Sequence, residues 1–68
     1  MTDYDALLWV MPFKNQPYTT FTNDDGDMVI RVDYEDDNYA EFICNEAGEH
    51  IKDVFAFNGK VTTYIFAE

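Results

Sequence analysis

With 68 residues, fourteen acidic against four basic side chains and a formal charge of −10, the chain has room for one domain, residues 1–68, with a thin core. That charge argues against direct binding of nucleic acid or an anionic membrane, because phosphate binding needs Lys and Arg to displace counterions. One cysteine excludes an internal disulfide and no Cys/His group has zinc spacing, so burial or self-association has to carry the stability.

Six Phe, five Tyr and one Trp give a folding composition rather than a disordered one. The start, Met-Thr-Asp-Tyr-Asp, lacks the basic stretch of a secretory signal, and the longest apolar run, Ala6 to Phe13, is too short for a membrane span. These features predict a soluble protein of a reducing compartment, the cytoplasm, with no membrane association.

In chain order, Tyr4, Leu7, Leu8 and Met11 recur at the spacing of one helical face. Thr2 or Asp3 is the candidate N-cap and Pro12 the stop, which predicts a short N-terminal helix. The same stretch, "ALLWVMPF", also reads as a buried strand. "YTTFT" is β-branched and aromatic and is closed by the turn cluster "NDDGD". "MVIRVDY" follows, with Met28, Ile30, Val32 and Tyr34 alternating against Val29, Arg31 and Asp33, the clearest strand pattern in the chain. The next strand is "YAEFIC".

A three-residue loop of Asp36, Asp37 and Asn38, with Asn38 in the left-handed position, would join those two strands. The register that follows sets Val32 opposite Phe42, Ile30 opposite Cys44 and Tyr34 opposite Ala40. On the other face it sets Asp33 opposite Glu41 and Glu35 opposite Tyr39. A slip of one residue would mix the faces and is rejected. Like charges facing each other cost of order 1 kcal/mol in water. Two such strands would carry roughly one carboxylate per 3.4 Å, a density comparable to that of one strand of duplex DNA.

Further on, "FICNEAGEHI" reads as a strand, a turn at Gly48 and a returning strand. "FAFNGKVTTYIF" carries Asn58-Gly59, the strongest short hairpin signal, which pairs Phe57 with Lys60, Phe55 with Thr62 and Asp53 with Tyr64. The competing reading makes residues 46–57 a helix capped at Asn58-Gly59, because Ala47, Ile51, Val54 and Phe55 share a helical face. The expected fold is mainly β or α+β: a small antiparallel sheet of four to five strands in a meander of hairpins.

Signals for catalysis or cofactors are thin. Taking Gly26 of "NDDGD" as the sixth position of a calcium loop puts the first and last ligand slots on Phe21 and Val32, so the pattern fails. Cys44 falls on the apolar face and reads as a core residue; His50, beside Glu49, reads as solvated. A glycosidase would need its carboxylate pair in a cleft that so small a core hardly supplies. No enzyme, cofactor or metal site is expected. Trp9, Phe13, Tyr18, Phe21, Phe42, Phe55, Phe57, Tyr64 and Phe66 are expected mainly in the core.

The acids are what the sequence emphasises. Eight of the fourteen lie between Asp24 and Glu41, with Arg31 the single base among them. Asp33, Glu35 and Asp37, joined by Glu41, form one candidate binding group. Arg side chains accept carboxylate and phosphate in the same geometry. Tyr34 and Tyr39 flank the acidic turn and are candidate interface anchors.

The small, strongly acidic chain with its "IRVDYEDDNYAEF" hairpin resembles the acidic inhibitors encoded by bacteriophages and mobile elements, including DNA-mimicking anti-CRISPR and anti-restriction proteins. The resemblance covers about a third of the chain. It implies steric occupation of a basic nucleic-acid channel in a host enzyme, with the five hairpin carboxylates Asp33, Glu35, Asp36, Asp37 and Glu41 standing in for phosphates and Asp24, Asp25 and Asp27 as a second acidic edge; Arg31 departs from it by interrupting the negative track. Competing expectations are an immunity protein or antitoxin masking a basic toxin, and a small assembly protein whose exposed strands pair with another copy to form a homodimer.

Overall fold

A computed structural model describes residues 1–11 and 16–66. Pro12 and Phe13, the expected helix stop and one expected core ring, lie outside the described residues. Helix α1 (Asp3–Val10) is followed by strands β1 (Tyr18–Thr22), β2 (Met28–Asp33), β3 (Tyr39–Cys44), β4 (His50–Phe57) and β5 (Lys60–Ile65). The strands form one antiparallel meander in the order β1-β2-β3-β4-β5, which leaves β1 and β5 as its edges.

Helix α1 starts where an oxygen-bearing side chain meets an acid three residues on. The Thr2 hydroxyl accepts from the Asp5 N–H and the Asp5 carboxylate accepts from the Thr2 N–H, a reciprocal capping box. The expected face is the one that packs. Tyr4, Leu7 and Leu8 lie against a cluster of Met11, Ile30 and Val32, with Phe42 beside them. Complete burial of side chains such as Ile30 contributes about 1.5–3 kcal/mol each.

The helix start is also tied to the β3–β4 turn. The Tyr4 N–H, which has no partner inside the helix, donates to the Gly48 carbonyl at 2.9 Å, and the His50 N–H donates to the Asp3 carboxylate at 3.0 Å.

The helix alternative for residues 46–57 is overturned. Gly48, with φ +85°, closes a turn in which its N–H bonds to the Asn45 carbonyl, and the chain then runs extended from His50. A left-handed residue stops any helix there. The Asn58-Gly59 hairpin has both residues at positive φ, as a type I′ turn requires, and its three expected strand pairs are those observed.

The β2–β3 register differs from the expected one by two residues. Val32 faces Ala40, Ile30 faces Phe42 and Met28 faces Cys44; on the other face Arg31 faces Glu41 and Asp33 faces Tyr39. A two-residue slip keeps every side chain on its face, so the apolar pattern fits both pairings equally. The turn decides between them. Its left-handed residues are Asp36 and Asp37, at φ 61° and 62°, rather than Asn38, and it closes through Tyr34 N–H to Asn38 O and Asn38 N–H to Glu35 O. The Asn38 side-chain oxygen instead accepts from the Asn58 N–H at 2.9 Å, joining the two hairpin turns at that end of the sheet.

The core is more aliphatic than composition suggests. Met11, Val29, Ile30, Val32, Ala40, Ile43, Cys44 and Ala56 are its buried members, whereas Phe42 and Phe55 are half-buried and meet edge to face. Trp9, Tyr18, Phe21, Phe57, Tyr64 and Phe66 are exposed, contrary to expectation. Tyr18, Phe21, Tyr64 and Phe66 lie on or beside the edge strands, and Phe57 beside the β4–β5 turn.

The turn glycines allow a direct test of the helix docking. A Cβ on Gly48 would lie 2.7 Å from the Thr2 Cβ, whereas one on Gly59 meets nothing within 4 Å, and both residues have positive φ. Gly59→Ala should therefore cost only the backbone term, about 1 kcal/mol, and Gly48→Ala at least about 1 kcal/mol more, read from urea unfolding midpoints. Equal losses would mean that the helix start does not rest on the turn.

Candidate interaction surface

The two acidic groups found in the sequence lie at opposite ends of the sheet. Asp24, Asp25 and Asp27 belong to the β1–β2 turn, which Asn23 organises: its side-chain oxygen accepts from the Asp25 and Asp27 N–H groups, both at 3.0 Å. Those bonds hold the backbone inward and leave Asp24 and Asp25 exposed. The β3–β4 turn sits at the same end, since a Cβ on Gly26 would lie 3.6 Å from a Glu46 carboxylate oxygen. Glu46 and Glu49 therefore extend this acidic end, an enlargement the local sequence pattern did not reveal.

Glu35, Asp36 and Asp37 form the other end, at the tip of the β2–β3 hairpin, and all three are exposed. The six residues of β2 separate the ends by about 20 Å at 3.3 Å per residue. Asp is among the few side chains that tolerate the left-handed region, so two such residues in succession both make the turn and turn charge outward.

Asp33 and Glu41 do not face each other in a bare carboxylate ladder. Arg31 lies between them, with Nε 3.0 Å from Asp33 Oδ1 and a terminal nitrogen 3.4 Å from Glu41 Oε2. Its guanidinium also lies 3.9 Å over the Tyr39 ring. The hydrogen bond to Asp33 pushes the Arg31 pKa further up, against the opposing effect of burial. The expected departure from a continuous negative track is thus larger than one misplaced base: Arg31 engages two of the five hairpin carboxylates and covers one of the two flanking tyrosines. Tyr34 is exposed on the opposite face and packs against Phe57, with ring centroids 5.4 Å apart.

His50 is not the solvated residue expected. Half-buried at the start of β4, its Nε2 lies 2.5 Å from Asp53 Oδ1 and its ring 4.9 Å from that of Phe66. It helps line an open groove with Asp3, Ala6, Leu7, Val10 and Phe66, between α1 and the β5 end. Cys44 lies opposite His50 in the register and is fully buried; burial, with Asp3 and Asp53 nearby, pushes its thiol pKa up and keeps it protonated. A protonated, buried thiol is a poor nucleophile. Among the described residues no three His, Cys, Asp or Glu side chains are disposed to hold a metal ion, and no helix is long and apolar enough to cross a membrane.

Of the carboxylates in the described residues, Asp33 and Glu41 are ion-paired with Arg31, and Asp53 contacts the His50 ring. Those at the two turn ends have no such partner among the described residues. What the arrangement offers chemically is two clusters of solvated anionic oxygens on an antiparallel frame, suited to cationic groups. Compared with family models, with curated proteins and with solved structures, the chain matches none.

The Arg31 cluster can be weighed by a double-mutant cycle on Arg31→Met and Glu41→Gln. A partly exposed pair of this kind should show a coupling of about 0.5–1 kcal/mol at low salt that shrinks at 0.5 M NaCl. A coupling of zero at low salt would mean that the contact contributes nothing to holding the register.

Proposed function

We propose that this protein is an acidic inhibitor that docks on the basic nucleic-acid-binding surface of a host enzyme in the cytoplasm and blocks it sterically, in the manner of DNA-mimicking anti-CRISPR or anti-restriction proteins. The observation that carries the reading is the separation of paired from unpaired charge. Where acids lie on the sheet face, Arg31 pairs with them; at the β1–β2, β2–β3 and β3–β4 turns no ion pair engages the acids among the described residues, and most of those acids are exposed.

Acids whose only purpose was to raise net charge could sit anywhere. Gathering them at two ends about 20 Å apart matches a partner with a basic track of at least that length, equivalent to about six steps of duplex at 3.4 Å. Docking then exchanges solvated carboxylates for Arg and Lys contacts, with fast, salt-sensitive association. Glu35, Asp36 and Asp37 form the leading cluster and Asp24, Asp25 and Asp27 the second; Tyr34 supplies an exposed ring beside the first. Asp33, Glu41 and Tyr39 are assigned to positioning the hairpin through Arg31.

The test is a tip variant, Glu35→Gln/Asp36→Asn/Asp37→Asn, which removes three charges while Asn preserves the left-handed backbone. Its unfolding free energy should stay within about 0.5 kcal/mol of wild type. Immobilised wild-type protein exposed to host extract should retain a nucleic-acid enzyme that elutes on a salt gradient and cannot bind its substrate while held. The folded tip variant should bind that enzyme at least about tenfold more weakly, a loss of about 1.4 kcal/mol. Equal binding by the variant, or an enzyme that binds nucleic acid and this protein together, would contradict the proposal.

A further inference from the structure

We infer that the outer edge of β5 is a self-pairing surface, through which two copies of this chain join into one continuous antiparallel sheet about a two-fold axis. Hydrogen bonding along β5 fixes which groups face outward. The Phe66 N–H donates to the Ile51 carbonyl at 2.8 Å, and in an antiparallel ladder the bonded pairs recur every second residue. Tyr64, Thr62 and Lys60 therefore bond to β4, through the pairs Asp53–Tyr64, Phe55–Thr62 and Phe57–Lys60. The N–H and C=O groups of Val61, Thr63 and Ile65 point away from β4, and among the described residues no strand lies beyond them.

Those same three residues form a self-complementary sequence. If Thr63 sits on the two-fold axis, Thr63 faces Thr63 of the second copy, and Val61 faces its Ile65 in both directions. Thr–Thr and aliphatic β-branched pairs are favourable across an antiparallel pair. Val61 and Ile65 are now 61% and 65% exposed. On the other face the same register sets Thr62 against Tyr64 and Lys60 against the Phe66 ring, so no charge meets a like charge.

Charge identifies the second copy as the occupant. Residues 54–67 contain no acidic side chain and one base, Lys60, in a chain that carries −10 overall. A second copy can thus approach this edge with little repulsion. The nearest acid on the neighbouring strand is Asp53, half-buried against the His50 ring. Three strand spacings would separate the two copies of Asp53 by about 14 Å, beyond the Debye length at physiological salt. An uncovered apolar edge would otherwise be an aggregation site, and an isologous pairing closes it.

This inference does not rest on the proposed inhibitor function, and salt separates the two. Binding to a basic partner weakens as salt rises, whereas pairing of two anionic copies strengthens. Light scattering and sedimentation of the whole chain should show a monomer–dimer equilibrium whose dimer fraction grows between 50 and 500 mM NaCl, about a threefold change in Debye length. Thr63→Pro removes an outward N–H that makes no bond to β4, so it should abolish the dimer with unchanged circular dichroism. Thr63→Lys, which faces two ammonium groups, should also yield a folded monomer.

Thr63→Cys should form an interchain disulfide on air oxidation, because bonded antiparallel pairs place Cα atoms about 5.5 Å apart, within disulfide range. The native Cys44 is buried and does not compete. A chain that stays monomeric at millimolar concentration in 500 mM NaCl would overturn the inference. So would a dimer that persists in folded Thr63→Pro or Thr63→Lys, or one in which Thr63→Cys fails to cross-link.

Discussion

The register between β2 and β3 determines where the negative charge of this protein stands. With Ile30 opposite Phe42 and Arg31 opposite Glu41, the apolar row meets helix α1, and the one base of the acidic segment falls where it reaches two carboxylates. Two residues of slip would keep the faces but set Asp33 against Glu41, concentrating like charge in the middle of the sheet. The observed pairing moves the uncompensated acids out to turns, where water solvates them and their repulsion bears least on the strands.

The second constraint is size. A chain of 68 residues covers one face of its sheet with a single eight-residue helix, and that helix reaches Ile30, Val32 and Phe42 rather than the edges. The edges then carry exposed rings and β-branched side chains while the centre is aliphatic. Capping at Thr2, the Tyr4–Gly48 bond and the Asp3–His50 bond hold the helix in place. Charge and hydrophobicity are segregated accordingly: acids at the turns, apolar groups beneath the helix and along β5.

Much of this was legible because the signals were local. The Tyr4, Leu7, Leu8 and Met11 spacing, the alternation of β2, and Asn58-Gly59 each fix one element through neighbouring residues, and each is found as read. Cys44 was placed correctly in the core from its strand parity. The β2–β3 pairing was not legible, because strand parity is blind to a two-residue slip. What fixes it is the left-handed backbone at Asp36 and Asp37 and the diversion of the Asn38 side chain to Asn58. The exposure of Phe21, Tyr64 and Phe66 and the meeting of His50 with Asp53 depend on which strands become edges and on the β3–β4 bulge near Cys44. The sheet order as a whole decides those features. That Glu46 stands at the same end of the sheet as Asp24, Asp25 and Asp27 depends on the meander placing the β1–β2 and β3–β4 turns side by side, which chain order alone does not show.

Whether the turn carboxylates, rather than the sheet-face acids, receive a cationic partner can be read from backbone NMR. On titration with an octa-arginine peptide at low salt, amide shifts should move at 24–27, 35–37 and 46–49, while Arg31, Asp33 and Glu41 stay near their starting positions. Shifts centred on those three sheet residues, or spread evenly over the molecule, would contradict the proposal.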